Sequence, residues 1–393
     1  MTKVVLVDGA RLPVGSFGGS LKGFSPSDMA GMVIAEAVKR SGIKPEDVDE
    51  LIVGEVGQVD EDGFIARVCG VKGGLPLETT AYSVNRQCAS GLQAIADAYM
   101  QIKTGHAEVV ACCGTESISR LPYYQFDSRW GAKMGDRNFK DGVISILTWP
   151  IDQSHNGTGA EKVAEKYNVS REEQDKFAAR SQNLAEKAIA AGRYKDEIIP
   201  VELVDRKGNV TIFDTDEGVR PGSTPEKLAK LRPAFVKGGT VTAGNSSTLN
   251  DGAAAVIVMS EDKAKELGVT PIAEVIDFAI AGNEPSLFGY APKFSTDKLM
   301  EKLDMDVKSI DMIEINEAFA VQAYAVARDL DLDMDKVNKY GGGISIGHPL
   351  GATGTILALK VMYEFKLTDI EDALVAMCIG GGQGMSMYFK RYS

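Results

Sequence analysis

The sequence predicts an α/β protein made of two similar lobes with an insertion between them. Three observations carry this. Short apolar runs alternate with stretches of helical periodicity, the pattern of mixed sheets covered by helices. The order of these elements in the first hundred or so residues returns in the C-terminal third. Between the two, from about residue 118 to 248, buried-strand runs thin out and loops, aromatics and charge increase.

Residues 4–7, 51–53 and 109–113 are continuous apolar runs and read as strands buried on both faces. Between the last two, Leu92, Ile95, Tyr99 and Ile102 recur at helical spacing, and Gly105 supplies the stop. In the middle segment, Ser170 with Glu173 forms a capping box. Phe177, Leu184 and Ala188 then face inward, and Gly192 ends the helix. In the C-terminal third, 310–315 takes the place of 48–53. A glycine-flanked turn follows, then an apolar stretch with Ile356, Leu357, Leu359, Lys360 and Val361, and the run 374–379 stands where 109–113 stood. The boundaries expected from this are a first core half of 1–117 with 249–270, an inserted loop domain of 118–248, and a second core half of 271–393.

Composition narrows the function classes. At 393 residues, with 44% hydrophobic and 25% charged side chains, the chain is long enough for two or three domains. It buries its core without disulfide or metal staples. A net charge of −12 with no basic block argues against nucleic acid and anionic membranes as partners. Five Cys is a sparse, odd count, unlike a secreted disulfide framework. No run approaches a signal-peptide core or a membrane span, and the terminal Lys390-Arg391-Tyr392-Ser393 is not a peroxisomal address. The cytoplasm is the expected compartment.

Cys88 lies between a strand-like stretch and the helix holding Leu92 and Tyr99. A thiol at a helix N-terminus meets the positive end of the dipole and unpaired N–H groups, which predicts a lowered pKa. A buried structural Cys is the competing reading. His348, among the glycines of 341–354, occupies the equivalent place in the second half. Two such helix ends, facing each other, would bring a thiol and an imidazole together, the usual route to a thiolate at neutral pH. For a single His beside Gly, a turn-stabilising hydrogen bond is the plainer alternative. Cys378 ends a strand and precedes Gly380-Gly381-Gly382, so it can reach the same cleft with backbone N–H groups at hand. Cys69, Cys112 and Cys113 read as core residues.

Other motifs fail on context. The glycines after Cys378 lead into a strand, not the helix of a dinucleotide loop, and no P-loop, C-x-x-C or H-E-x-x-H is present. No metal site is expected. Gly343-Ile344-Ser345-Ile346-Gly347 matches a nucleophile elbow, which leaves a Ser345 esterase as an alternative, although Gly347, His348 and Pro349 stand where its helix should begin. Between Arg206 and Lys237, seven basic residues outnumber four acidic ones, a segment suited to a phosphate-bearing ligand or simply to solvent.

Four segments, in order, resemble the signatures of the thiolase family: Asn85 with Cys88-Ala89-Ser90-Gly91, then Asn316-Glu317-Ala318-Phe319, Gly347-His348-Pro349 and Cys378-Ile379-Gly380-Gly381-Gly382. The likeness extends over essentially the whole chain, including Gly239–Asn245 and Asn250-Asp251-Gly252-Ala253-Ala254. It implies a five-layered α/β/α/β/α fold and ping-pong acyl transfer between coenzyme A thioesters. By resemblance, Cys88 is the nucleophile, and His348 activates it and shares one oxyanion site with a water held by Asn316. Cys378 is the acid/base at the α-carbon, and the N–H groups of Cys88 and Gly380 form the second oxyanion hole. Coenzyme A would lie on the insertion, with Arg220 near the adenine nucleotide and Ala243, Ser247 and Leu249 along the pantetheine arm. His155 and Phe319 would close the tunnel.

The resemblance further implies a homotetramer or dimer with no cofactor beyond its coenzyme A substrates. Acetoacetyl-CoA thiolase is the first expectation. A thiolase of longer 3-ketoacyl-CoA and a non-catalytic coenzyme A-binding protein are the alternatives. The chain departs from the short-chain pattern at Asn156 (usually Met), at Phe288 (often Met) and at Thr115 in Gly114-Thr115-Glu116. These changes leave the catalytic set whole and bear on the acyl pocket.

Overall fold

The computed structural model describes residues 2–131 and 133–393. The first lobe runs through β1 (Val4–Arg11), the two-residue β2 (Gly15–Ser16), α1 (Pro26–Arg40), β3 (Glu50–Gly54) and α2 (Ile65–Lys72). It continues with β4 (Thr80–Val84), α3 (Ser90–Thr104) and β5 (Val109–Ser117). An excursion then carries β6 (Tyr123–Tyr124), β7 (Lys140–Asp141), α4 (Gly142–Ile146), α5 (Asn156–Lys166) and α6 (Arg171–Ala190). The hairpin of β8 (Val201–Val204) and β9 (Val210–Phe213) and the short α7 (Pro225–Leu228) complete it, before β10 (Asn250–Ser260) rejoins the sheet. Past α8 (Glu261–Leu267), the second lobe consists of β11 (Ala273–Gly282), α9 (Ala291–Leu303), β12 (Met312–Ile315), α10 (Ala320–Asp329), α11 (Leu350–Leu367), β13 (Asp372–Ile379) and β14 (Gln383–Arg391).

Strand order establishes the duplication. The first lobe reads β4-β3-β5-β10-β1 and the second β12-β13-β14-β11. Within each lobe the second and fourth strands are parallel, the fifth runs antiparallel between the fourth and the first, and the first lies at the end. The second lobe's third strand has shrunk to one parallel bridge, Ile313 with Val337, at the position β4 takes beside β3. β1 and β11 pair antiparallel through Val4–Val275, Val5–Glu274 and Leu6–Ala273, which joins the lobes into one continuous sheet.

Alternation along the strands sorts side chains into layers. Val4, Leu6, Val110 and Cys112 from the first lobe, and Val375, Met377, Met387 and Phe389 from the second, enclose α3 and α11. Val5, Val7, Val109 and Cys113 point the other way, onto α1 and α2. Leu374, Ala376, Cys378 and Tyr388 face α9 and α10. The result is α/β/α/β/α. A central helix has no solvent face, and α11 accordingly has 16 buried residues out of 18. Its buried Lys, Lys360, is matched inside by Glu314 at 2.9 Å and the Gly341 carbonyl at 2.6 Å. Gly354 lets the two central helices touch, since a Cβ there would sit 2.2 Å from the Leu92 nitrogen.

Local signals behave as the sequence predicts. Ser170 and Glu173 cap α6 reciprocally, and Gly192 turns left-handed just past its end, at φ +71°. Among the described residues, no helix is long and apolar enough to cross a membrane.

Candidate active site

Cys88 sits two residues ahead of α3 in a turn built by its neighbours. The Asn85 side chain accepts the Gln87 N–H at 3.0 Å. The Ser90 hydroxyl accepts the Arg86 N–H at 2.9 Å and donates to the Gln87 carbonyl at 2.6 Å. Gln87 is thereby held at φ +48°, a strained conformation for a residue with a side chain. The thiol is 5% exposed and its sulfur accepts the backbone N–H of Gly380.

The expected lowering of its pKa does not occur. Burial outweighs the N–H groups, Glu116 adds a nearby negative charge, and the Cys88 thiol is pushed up to about 11. Alkylation of Cys88 by iodoacetamide should therefore accelerate about tenfold per pH unit between pH 7 and 9. A rate already level at pH 7 would contradict this.

His348 leads α11 as Cys88 leads α3. Its backbone N–H donates to the Asn250 side chain at 2.9 Å, and Gly347, at φ +117°, leaves no room for a Cβ against that same amide. On the ring, Nδ1 lies 2.7 Å from the Thr353 hydroxyl, which donates its own proton to the Pro349 carbonyl at 2.8 Å. The hydroxyl can then only accept from the imidazole, so the proton is on Nδ1 and Nε2 keeps its lone pair. Asn316 Nδ2 approaches Nε2 at 3.3 Å. Burial lowers the His348 pKa to about 4. The imidazole is neutral and the thiol protonated at rest.

Cys378 is the next-to-last residue of β13 and is fully buried. Its Sγ donates to Gln322 Oε1 at 3.2 Å, and Cys88 is the titratable side chain that acts on it. Burial raises its pKa well above the ordinary value. The turn that follows needs glycine, because Gly381 and Gly382 are both left-handed, at φ +85° and +86°, with the Trp149 ring against the first.

A cavity of about 250 Å³ opens onto Cys88 and His348. Ile118, Val143, Leu147, Phe235 and Leu350 form much of its wall, joined by the expected His155, Asn156, Ser247, Leu249, Phe288 and Phe319. His155 caps α5, with Nδ1 accepting the Gly157 N–H at 3.0 Å, and stacks on Phe235 at 5.2 Å. Phe288 meets Phe319 edge-on at 6.4 Å.

Arg220 and Ala243 are exposed and are not part of the cavity wall. The basic segment divides: Arg206 and Lys207 lie at the tip of the β8–β9 hairpin, whereas Lys227 is tied to the Gly222 carbonyl at 2.6 Å. Ser345 is fully buried, bonded to Ser181 and Gly342 with no imidazole partner, so the esterase alternative is overturned.

Supporting residues were missed because their partners are far away in sequence. Glu317 accepts from Ser181, Asn338 and the Ile344 N–H, which fastens the 341–347 loop beside Asn316. Glu116 accepts the N–H groups of Gly57 at 2.9 Å and Gly351 at 2.8 Å, tying the start of α11 to the end of β5. Thr353 carried a faint local signal, as a hydroxyl one helical turn beyond His348.

Fold and site together define a two-lobed protein whose equivalent helix N-termini bring a thiol and an imidazole to one cavity. The thiolase N-terminal domain matches residues 4–262 and the thiolase C-terminal domain residues 269–391. The chain is 45% identical over 392 residues to an acetyl-CoA acetyltransferase of Syntrophomonas wolfei, covering 98% of each. It is also 45% identical over 391 residues to the beta-ketothiolase BktB of Cupriavidus necator, covering 99% of each. The crystal structure of the Bacillus anthracis acetyl-CoA acetyltransferase superposes with a TM-score of 0.97 at 42% identity, covering 100% of this chain and 99% of that one. Human mitochondrial 3-ketoacyl-CoA thiolase in complex with CoA gives 0.95 at 39%, covering 100% and 98%. The chain belongs to the thiolase family and is an acyltransferase.

Proposed function

We propose that the protein is an acetyl-CoA C-acetyltransferase that cleaves and forms acetoacetyl-CoA through an acyl group held on Cys88. The observation that carries this is a protonated Cys88 and a neutral His348 lining one apolar cavity, with imidazole Nδ1 fixed by Thr353 and the lone pair of Nε2 beside Asn316. In thiolysis, Cys88 gives its proton to His348 Nε2 and its sulfur attacks the ketone carbon. The carbon–carbon bond breaks, and the departing enolate takes the Cys378 proton to become acetyl-CoA. Coenzyme A then attacks the acyl-cysteine, passing its thiol proton to Cys378, while His348 returns the first proton to Cys88. Synthesis is the reverse. Asn316 lies beside His348 at the oxygen that gains charge, and the Gly380 and Cys88 N–H groups serve the second oxyanion. Coenzyme A would enter past Ser247 and Leu249, with the exposed Ala243 and Arg220 as its outer contacts. No cofactor or metal enters this scheme.

The wall at Phe288 and Phe319 supports a short acyl group, and kcat/KM for thiolysis across 3-ketoacyl-CoA chain lengths tests it. The four-carbon substrate should be preferred. Phe288→Ala should shift preference toward longer chains by about 10- to 100-fold, the scale set by one or two methylenes in an apolar pocket. A wild-type preference for six carbons or more would favour the longer-chain thiolase instead.

The exposed Tyr123, Phe126, Trp130 and Phe139 on one insertion loop, and the open edge of β4, support assembly into a homotetramer. Five free cysteines suit a reducing cytoplasm.

A further inference from the structure

Gln322 lies in the first turn of α10, six residues after Asn316, and is fully buried. Its Oε1 accepts the Cys378 thiol at 3.2 Å, while its Nε2 is buried with no hydrogen-bond partner. A buried, unpartnered amide nitrogen is unusual and calls for a reason. Titratable groups on α10 and the elements around it are engaged with one another: Tyr290 with Asp329, Tyr324 with Glu173, and Arg328 with Asp329. Cys88 is the titratable side chain that acts on Cys378.

The proton accounting above takes Cys378 from thiol to thiolate and back once per turnover. A thiol donates and is matched by a carbonyl oxygen, whereas a thiolate only accepts and needs an N–H. The two ends of one carboxamide supply both. The last side-chain torsion of Gln is broad and roughly two-fold, so a half-turn exchanges oxygen for nitrogen at nearly unchanged volume.

We propose that Gln322 is a positioning residue for Cys378, presenting Oε1 to the thiol and, after rotation of its carboxamide, Nε2 to the thiolate. This rests on Cys378 being the proton donor and acceptor at carbon. In a buried site without a cationic neighbour, the amide is what makes the thiolate accessible during the reaction.

The test uses Gln322→Met, Gln322→Glu and Cys378→Ala in the full-length enzyme, with acetyl-CoA and acetoacetyl-CoA as substrates. Gln322→Met, similar in volume and without the amide, should keep acetylation of Cys88 by intact mass. Its kcat for thiolysis and condensation should fall by about 10- to 100-fold with KM little changed. Gln322→Glu should lose activity progressively as pH rises, because its ionised carboxylate faces a thiolate. Wild-type kcat in Gln322→Met, with Cys378→Ala inactive, overturns the inference alone. Full turnover by Cys378→Ala overturns the reading of Cys378 beneath it. Should Gln322→Met also lose acetylation, Gln322→Glu decides: a pH profile parallel to wild type overturns the inference, and the added alkaline loss upholds it.

Discussion

Cys88→Ala is expected to remove acyl transfer altogether, with turnover falling by at least about 10⁴-fold. Wild-type enzyme mixed with acetyl-CoA should gain the mass of one acetyl group, located on Cys88 by peptide mapping, and the variant should gain none. The effect is large because nothing near Cys88 can replace it. The Cys378 thiol is fully buried and held by Gln322, and Ser345 is sealed against Ser181. The fold should survive, since the substitution removes a single sulfur atom from a site where the backbone is held by Asn85 and Ser90. Acetyl recovered on another residue of the variant, at the wild-type rate, would remove Cys88 from its role. An unacetylated wild-type Cys88 would instead support a coenzyme A-binding protein without catalysis.

Cys378→Ala is expected to separate the two halves of the reaction. Acetylation of Cys88 should persist, because coenzyme A leaves as a thiolate, whose conjugate acid has an ordinary pKa of about 8.5. Making or breaking the carbon–carbon bond involves a carbanion-like species that cannot form or leave without a proton partner. That step should fall by about 10²- to 10⁴-fold, the range of positioned acid–base catalysis. Acetyl-enzyme trapped at full occupancy with no acetoacetyl-CoA formed is the expected signature. Wild-type condensation by this variant would show that the proton travels by another route, and His348 would be the first place to look for it.

How much of this was legible in the sequence depended on range. The α6 helix was readable from Ser170, Glu173 and Gly192 because a capping box and a left-handed glycine act within a few residues. The two-lobed repeat was readable because strand and helix periods survive where residue identity does not. The equivalence of Cys88 and His348 followed from that repeat, and α3 and α11 do begin two residues after each. The Cys88 pKa was misjudged for a physical reason. A helix N-terminus is a local feature, whereas desolvation depends on what the other lobe places overhead, and here it prevails.

Sequence by itself determined the class of fold and the family, and it singled out Cys88, Asn316, His348 and Cys378 as candidates, because each sits at a local signal or in a dense motif. Tertiary structure decided how those residues stand. Thr353 sets the imidazole proton, Asn250 and Glu116 hold the start of α11, Glu317 fastens the loop beside Asn316, and Gln322 meets the buried thiol. Most of these contacts join residues far apart in the chain, and each depends on water being excluded. Protonation state, tautomer and reach are properties of a packed, low-dielectric interior, and they come into being only when the two lobes close around α3 and α11.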